Sequence, residues 1–371
     1  MSLIGLDGVS ERAKKLHEES VVVDIHNHMM FEYAIHEALG TPDIFDTYYA
    51  PALKAGGIDV IATSVGGNSP CVCNLTDDLV HGSLEQIDML RRAEEKGSSF
   101  AICESAQEIE VAVAAGKIAI LLAFEGARAA EGIENEESLV MLRSFYRLGL
   151  RTICIVGGAR TRFADGMGEA RAEAGMTTFG LRFIEEMNRL GMLVDLTHMT
   201  ERSFMDSIEA SSKPVVVSHI GVQAACPNPN NLSDERIKAI GRNGGVIGME
   251  MVKTEILWEY EKYKRPITWE HVIRHIDHIA ELIGTEHIGL GLDFDHFKMI
   301  DNIHRAMCPA PGTIEGFYTG IPKENHMLDE PNDLWEAPLI TEYMLRHGYS
   351  DYEVKMILGG NMMRLLKETI W

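Results

Sequence analysis

The sequence predicts a (β/α)8 barrel, in which a closed parallel sheet is surrounded by helices. Short apolar runs rich in β-branched residues recur along the chain, and a segment with helical periodicity follows each, as in parallel βα units. Their near-continuous apolarity is typical of strands buried on both faces. Eight runs are present, at residues 21–25, 58–65, 118–124, 151–156, 192–196, 214–218, 245–251 and 287–292. The chain has 371 residues, so a single domain over residues 1–371 is predicted.

The clearest helical segment between these runs is residues 268–283. Its apolar side chains recur at three-and-four spacing, and Thr268 stands where an N-cap is expected. His271, His275 and His278 lie on one side of this helix. We interpret them as a solvated polar face, because the segment lacks the H-E-x-x-H metal motif and the outer helices of a barrel lie far from its active face.

A long irregular stretch, residues 295–331, follows the eighth run and is rich in Pro, Gly and Asn. In a barrel this loop would lie at the C-terminal face of the strands, where substrates bind. A lid or specificity loop and a tolerated surface insertion are both open interpretations. Two helices, at 333–346 and 351–367, are predicted to close the chain.

The composition limits the partners. With 34 basic and 56 acidic residues the formal net charge is −22, which disfavours nucleic acid and anionic membrane surfaces. No apolar run reaches the roughly 18 residues of a membrane span and no secretory leader is recognisable, so we expect a cytoplasmic protein. The six cysteines are sparse, and the C-x-C pair Cys71 and Cys73 is interpreted as ordinary loop thiols rather than a zinc site.

Ionisable residues mark the ends of five predicted strands. D-I-H-N-H, F-E-G, D-L-T-H, V-S-H and G-L-D-F-D end the first, third, fifth, sixth and eighth runs. A single histidine at a strand end is more often structural than a metal ligand, but residues on different strands of a barrel converge at its C-terminal face. The predicted metal ligands are His26, His28, Glu125, His198 and His219. Four imidazoles with one carboxylate favour zinc over magnesium or calcium.

The same motifs, with L-K-A-G-G-I, L-L-A-F-E-G, P-V-V-V-S-H and G-G-N-M-M-R-L, resemble the membrane (renal) dipeptidase family, peptidase family M19 of the amidohydrolase superfamily. The resemblance covers residues 21–366. It implies two divalent metal ions, zinc in this family, with Glu125 as the bridge. His26 and His28 would hold one ion, and His198 and His219 the other. It also implies hydrolysis of the peptide bond of dipeptides, including some with a D-residue at the carboxyl end.

The resemblance further implies that Asp293 is the general acid/base. Two cations close together lower the pKa of a bridging water and polarise the scissile carbonyl, and a carboxylate can then carry the proton to the leaving amine. Asp295 would share a face with Asp293 on an extended strand end and is a second candidate. Only the match to the family selects Asp293.

Three positions depart from the family pattern. His28 stands where the family usually has Asp, and Gly157 where a His contacts the substrate carbonyl. Asn230 replaces an Arg that grips the free carboxylate of a dipeptide, and a neutral amide cannot replace a bidentate guanidinium. Asn230 is therefore a candidate substrate contact. Arg160 or Arg162 would bind a carboxylate from another direction, unless they are surface arginines.

The leading expectation is a zinc-dependent hydrolase that cleaves an amide bond in a dipeptide or dipeptide-like molecule through a metal-bridging hydroxide. One alternative keeps the chemistry but changes the substrate to an N-acyl amino acid, a lactone or a modified peptide. Another is a metal-bearing protein that binds a ligand without turnover. Many barrels of this kind dimerise, so a homodimer is also expected, although no surface stripe of the sequence supports it.

Overall fold

A computed structural model describes residues 7–38, 40–67, 78–172, 174–294, 327–331 and 333–371. Within these residues a parallel sheet forms the centre of the molecule. Its strands are β1 (Val23–Asn27), β2 (Val60–Gly67), β3 (Phe100–Ile102), β4 (Ile118–Glu125), β5 (Leu150–Cys154), β6 (Leu193–Asp195), β7 (Val216–Ile220), β8 (Val246–Met249) and β9 (Ile288–Leu290).

The sheet closes into a barrel of eight strands. Neighbours follow the order β2-β1-β9-β8-β7-β6-β5-β4, and β2 pairs with β4 to complete the ring. Each barrel strand coincides with one of the eight predicted runs, so the predicted (β/α)8 barrel is confirmed. The additional strand β3, which lies outside the barrel, was not predicted. It pairs with the first residues of β4 outside the ring, at Phe100↔Ile118.

The described helices are α1 (Glu11–Glu18), α2 (Met29–Ala38), α3 (Ala50–Ala55), α4 (Leu79–Glu95), α5 (Ala106–Ala114), α6 (Asn135–Arg147), α7 (Thr178–Leu190), α8 (Glu201–Ala210), α9 (Asp234–Asn243), α10 (Lys253–Ile256), α11 (Trp269–Ile283), α12 (Pro338–Arg346), α13 (Asp351–Lys355) and α14 (Asn361–Thr369). A π-helical turn, Met356–Gly360, joins the last two, so residues 351–369 form one helical segment. None of these helices is long and apolar enough to cross a membrane.

The interior of the barrel is filled. Val60, Val216 and Val246 from different strands pack there in one cluster of buried side chains. A Cβ atom at Gly248 or at Gly291 would collide with the carbonyl oxygen of Ser218, so only glycine fits at these two positions. Because the centre is closed by packing, a ligand can reach the strands only at an end of the barrel.

The interpretation of a solvated histidine face on α11 is wrong. The helix begins after Thr268 as predicted, but His275 is fully buried. Its Nδ1 accepts a hydrogen bond from the Val222 N–H (2.9 Å), and its Nε2 donates to the Ile256 carbonyl (3.0 Å). His275 therefore ties the loop after β7 to the segment after β8, both of which cover this face of the helix.

The predicted loop 295–331 lies largely outside the described residues, as do Cys71, Cys73 and Asp295. Of the loop, residues 327–331 are described. Met327 forms a bridge with Val252, and Asp329 forms an ion pair with Lys253 (2.7 Å). The end of the loop is thus attached to the segment that follows β8. Its role as a lid or specificity loop stays a prediction.

Acidification is expected to destabilise the fold through His17 on α1. This imidazole is buried, with Nδ1 2.8 Å from the Thr341 hydroxyl and Nε2 2.7 Å from the Gly56 carbonyl, and burial lowers its pKa to about 4. The unfolded chain, with a histidine pKa near 6.5, binds the extra proton first. The contribution of His17 to the free energy of unfolding is therefore fully present above about pH 6.5, and it falls by up to about 3 kcal/mol as the pH drops towards 4.

Urea unfolding measured across this pH range checks the effect. The variant His17→Gln should lose less stability on acidification than the parent chain, even if it is less stable at neutrality. His81→Gln, at an exposed position, serves as the control and should keep the parent pH dependence. Equal pH dependence in the parent chain and His17→Gln would contradict the assignment.

Candidate metal centre

The predicted site residues lie at the C-terminal ends of five barrel strands. Glu125 is the last residue of β4, and His26 and His219 lie within the last two residues before the ends of β1 and β7. The others follow a strand end directly or within three residues: His28 after β1, His198 after β6 and Asp293 after β9. Since the strands are parallel and the barrel is closed, their ends bring these six side chains to one place.

The donor atoms of the six residues form three overlapping groups. Within each group the potential ligand atoms lie within 4.8 Å of one another. The groups are His26, His28 and Glu125; Glu125, His198 and His219; and His26, His219 and Asp293. The first two groups share Glu125.

Glu125 lies between two pairs of imidazoles. Its Oε2 is 3.4 Å from His28 Nε2, and its Oε1 is 3.4 Å from His198 Nε2. His28 Nε2 is in turn 3.2 Å from the Nε2 of His26, and His198 Nε2 is 3.0 Å from the Nε2 of His219. The two oxygens of one carboxylate thus face different histidine pairs, which is the geometry that a bridging ligand requires.

Asp293 lies beside the first pair, with Oδ1 3.2 Å from His28 Nε2 and 3.6 Å from His26 Nε2. Its backbone is in the left-handed region (φ 52°), as is that of His198 (φ 65°). Non-glycine residues adopt this conformation at a cost of about 1 kcal/mol or more, and such residues cluster at functional sites. Both residues thus leave the extended conformation where their side chains join the other ligands.

The protonation of the cluster suits a bound cation. Burial, assisted by the neighbouring imidazoles, lowers the pKa of His26 to about 3 and that of His219 well below its usual value. Burial opposes the charged forms of Glu125 and His198, but their mutual attraction prevails. It lowers the pKa of Glu125 and raises that of His198 to about 9. At neutral pH the cluster therefore holds the uncharged imidazoles of His26 and His219 and a protonated His198 beside the Glu125 carboxylate, so it favours a positive charge next to Glu125.

This donor set fits divalent metal ions. Neutral imidazole and ionised carboxylate are the forms that bind metal. Ser218 Oγ donates to Asp195 Oδ2 (2.5 Å), so it accepts from His219 Nδ1 (2.9 Å) and leaves the Nε2 lone pair of His219 facing the cluster. A proton on His198 can be shared with one or two of the converging nitrogen and oxygen atoms, whereas a metal ion can bind three or more of these atoms at once.

Sequence reasoning missed the residues that orient His219. Asp195, the last residue of β6, accepts hydrogen bonds from Thr197 and from Ser218 and so fixes the hydroxyl that contacts His219. Buried carboxylates behind a ligating histidine commonly set its tautomer and ring direction. The signal was available, because D-L-T-H and V-S-H both place a polar side chain inside an otherwise apolar strand.

The variant Ser218→Ala is expected to lower metal affinity about tenfold or more, because loss of an outer-shell partner typically costs 10–100-fold. Titration of the metal-free chain with zinc measures the effect. Ser211→Ala, which removes a hydroxyl far from the cluster in the loop after α8, is the matched control. Unchanged affinity in Ser218→Ala would show that the Asp195–Ser218–His219 chain does not support the site.

The three candidate substrate contacts, Asn230, Arg160 and Arg162, are placed differently. Asn230 lies against the centre, with its side-chain amide 3.2–3.3 Å from His198 Nδ1, and its Nδ2 donates to Glu255 Oε1 (3.1 Å). Arg160 is half exposed and forms ion pairs with Asp165 (2.5 Å) and Glu169 (3.6 Å). Arg162 donates to the Ile133 carbonyl (2.8 Å). Asn230 is thus brought to the site, whereas the described contacts of both arginines are to residues outside it.

Comparison with known proteins identifies the family. The model of the membrane dipeptidase family, peptidase family M19, matches residues 10–306 of the chain. The chain belongs to peptidase family M19. It is therefore a member of a family of metallopeptidases, which are hydrolases that use divalent metal, and the resemblance noted from the sequence motifs is confirmed.

Curated dipeptidases are similar to most of this chain. Dipeptidase 3 of Rattus norvegicus is 29% identical over 312 residues, which are 80% of this chain and 54% of that protein. Dipeptidase tcpJ of Claviceps purpurea is 29% identical over 301 residues, 80% of this chain and 62% of that protein. The chain thus spans about half to three fifths of the length of these relatives.

Two solved metallopeptidase structures have the same fold, and the first is described as a member of family M19. The crystal structure of dipeptidase AC superposes with a TM-score of 0.76 at 23% identity, covering 95% of this chain and 99% of the other. A metallopeptidase from Rhodobacter sphaeroides, liganded with a phosphinate mimic of L-Ala-D-Ala, superposes with a TM-score of 0.75 at 22% identity, covering 95% and 100%.

Proposed function

We propose that this M19 member is a zinc-dependent hydrolase that cleaves the amide bond of a dipeptide or a small dipeptide-like molecule. One observation carries the proposal: two three-residue ligand groups share Glu125, and Asp293 lies within 3.6 Å of the first pair of histidines. These residues would form a two-metal site with an adjacent carboxylate. Such a site can activate water for attack on a carbonyl.

The ligand assignment follows the two groups. His26, His28 and Glu125 would hold one ion, and Glu125, His198 and His219 would hold the other. The predominance of nitrogen donors supports zinc. When bound, two such ions polarise the scissile carbonyl and lower the pKa of water.

The chain's own residues would manage the proton. Asp293 is nearly buried, and its Oδ1 faces the side of the cluster that holds His26 and His28. From there it would take the proton of the attacking water and deliver it to the leaving amine. Its backbone lies in the left-handed region, and its N–H donates to the His26 carbonyl (3.0 Å).

The names of the relatives support a dipeptide as the first substrate to test. The curated relatives are dipeptidases, and the Rhodobacter sphaeroides structure holds a mimic of L-Ala-D-Ala. The chain loaded with zinc should therefore be assayed with L,L and L,D dipeptides beside N-acyl amino acids and lactones. We expect roughly two zinc ions per chain and release of free amino acids. Less than about one zinc per chain would overturn the proposal.

A second candidate keeps the chemistry but changes the substrate. Gly157 and Asn230 favour it, because neither side chain can supply the contacts to the carbonyl and the carboxylate that the family resemblance implies. Turnover of N-acyl compounds, lactones or modified peptides without turnover of dipeptides would select it. Affinity for these molecules without product, in a fully metal-loaded chain, would instead indicate a binding protein. A cytoplasmic location and a homodimer stay predictions.

A further inference from the structure

Two acidic residues at the same end of the barrel belong to neither ligand group. Glu250 directly follows β8 and is only 2% exposed. Glu255 lies in α10, the short helix that follows. Oε1 of Glu250 and Oε2 of Glu255 are both buried, and neither oxygen has a hydrogen-bond partner among the residues that the structure describes. A buried carboxylate oxygen without a partner is costly, and such atoms are rare in native proteins.

Glu250 faces the mouth of the barrel. Side chains alternate along a strand, and Val246, four residues earlier, packs in the barrel interior with Val60 and Val216. Glu250 therefore continues the inward-facing row of β8. In agreement, the burial of Glu250 and its repulsion by Glu255 and Asp293 raise its pKa well above the usual value.

Glu255 reaches the same place from the side. It accepts a hydrogen bond from Asn230 Nδ2, and the Asn230 side chain contacts His198. Asn231 Nδ2 donates to the backbone carbonyl of Glu255 (2.7 Å), and this bond fixes α10 against the loop after β7. The Asn230 side chain thus connects Glu255 to His198, a predicted metal ligand, and the Asn231 bond fixes the position of Glu255.

Among the described residues, no lysine or arginine forms an ion pair with either carboxylate. The nearest in sequence, Lys253, is paired with Asp329. Within the described ranges, the positively charged neighbour that acts on Glu255 is His198. A free carboxylate of a substrate would meet two acids and an amide here, whereas a cation would find two buried carboxylate oxygens without a hydrogen-bond partner in the described part of the chain.

We propose that Glu250, Glu255 and Asn230 form a subsite that takes a cationic group of the substrate, an ammonium or a guanidinium. This inference rests on the proposed function, which it narrows to amide substrates with a positive charge near His198. The cation has two sources: the α-ammonium of a dipeptide, or a basic group in the half that leaves.

The test uses one scissile amide with the charge moved around it. Alanylalaninamide carries only the α-ammonium, N-acetylalanyl-lysinamide carries a cation only in the leaving half, and N-acetylalanylalaninamide is uncharged. Alanylalanine adds the free carboxylate. The value of kcat/KM is measured for the zinc-loaded chain, for Glu250→Gln and Glu255→Gln, and for the control Glu235→Gln on an exposed turn of α9.

We expect the parent chain to prefer one of the two cationic amides over the uncharged amide by about tenfold or more, as for a charge-assisted hydrogen bond. The preferred amide identifies the source of the cation. Glu250→Gln and Glu255→Gln should remove this preference by lowering the rate on the preferred cationic amide about tenfold more than the rate on the uncharged amide, while Glu235→Gln retains it.

Equal losses on the charged and uncharged amides would overturn the proposal, because the carboxylates would then only balance the charge of the metals. A preference that survives both substitutions would also overturn it. Binding of alaninamide and of N-acetyl-lysinamide, each against N-acetylalaninamide and measured by calorimetry, separates this inference from the proposed function. If no amide is hydrolysed but one of the two cations binds and both variants weaken its binding about tenfold, the proposed function fails and the subsite stands. If neither variant weakens the binding of either cation, the subsite fails as well.

Discussion

Replacing Glu125 with alanine is expected to empty the metal centre and abolish hydrolysis. Its two carboxylate oxygens face different histidine pairs, so the substitution removes a ligand from both groups at once. It also removes the charge that raises the pKa of His198. Because loss of a mere outer-shell partner costs up to about 100-fold in metal affinity or activity, the effect here should exceed about 100-fold in both.

Zinc content by mass spectrometry and kcat/KM together check this prediction. Glu136→Ala, on the exposed start of α6, removes a carboxylate from the same region of sequence without touching the centre and should behave as the parent chain. Full zinc loading of Glu125→Ala would show that this residue is not a shared ligand, whatever the change in activity.

Replacing Asp293 with asparagine is expected to abolish most of the turnover while the metal ions stay bound, unlike the replacement of Glu125. The amide keeps the size of the side chain and a donor oxygen near His28, but it cannot carry a proton between water and the leaving amine. General acid/base residues contribute about 100- to 10,000-fold, and kcat should fall by an amount in that range.

The measurement is kcat at saturating substrate with zinc content determined on the same sample. Asp88→Asn, on the exposed face of α4, is the matched control. Unimpaired turnover by Asp293→Asn would exclude it as the proton carrier and turn attention to Asp295, the other acid of G-L-D-F-D. Loss of zinc together with activity would instead assign Asp293 to the ligands.

The catalytic half of the site and its substrate half differ in how well sequence reasoning anticipated them. His26, His28, Glu125, His198 and His219 were all expected to converge, and the structure brings them together with Asp293. For the substrate side the sequence offered Asn230 and Arg160. The structure brings Asn230 to His198 but pairs Arg160 with Asp165, and it adds two acids that sequence reasoning had not considered.

Glu250 shows why part of a site escapes a reading of motifs. It stands at a strand end like the other site residues, directly after G-V-I-G-M, but no second residue two positions away draws attention to it. It is distinguished by a buried oxygen that has no hydrogen-bond partner within the described residues, and this depends on the residues packed around it. A sequence shows which residues can donate or accept hydrogen bonds, but it does not show which of them are in contact.

The sequence by itself determined the barrel and the ring of metal-binding candidates. Both follow from local order: apolar runs alternate with helices, and polar residues close the runs, so parallel pairing alone brings those residues to one face. Tertiary structure decided the rest. Strand β3 is only three residues long and exists through its pairing with β4, and His275 is buried because two loops from distant parts of the chain cover it. His198 and Asp293 likewise have a left-handed backbone, which the local conformational preferences of these residue types disfavour. Contacts with residues far apart in sequence must offset this conformational cost, and a local sequence pattern does not encode such contacts.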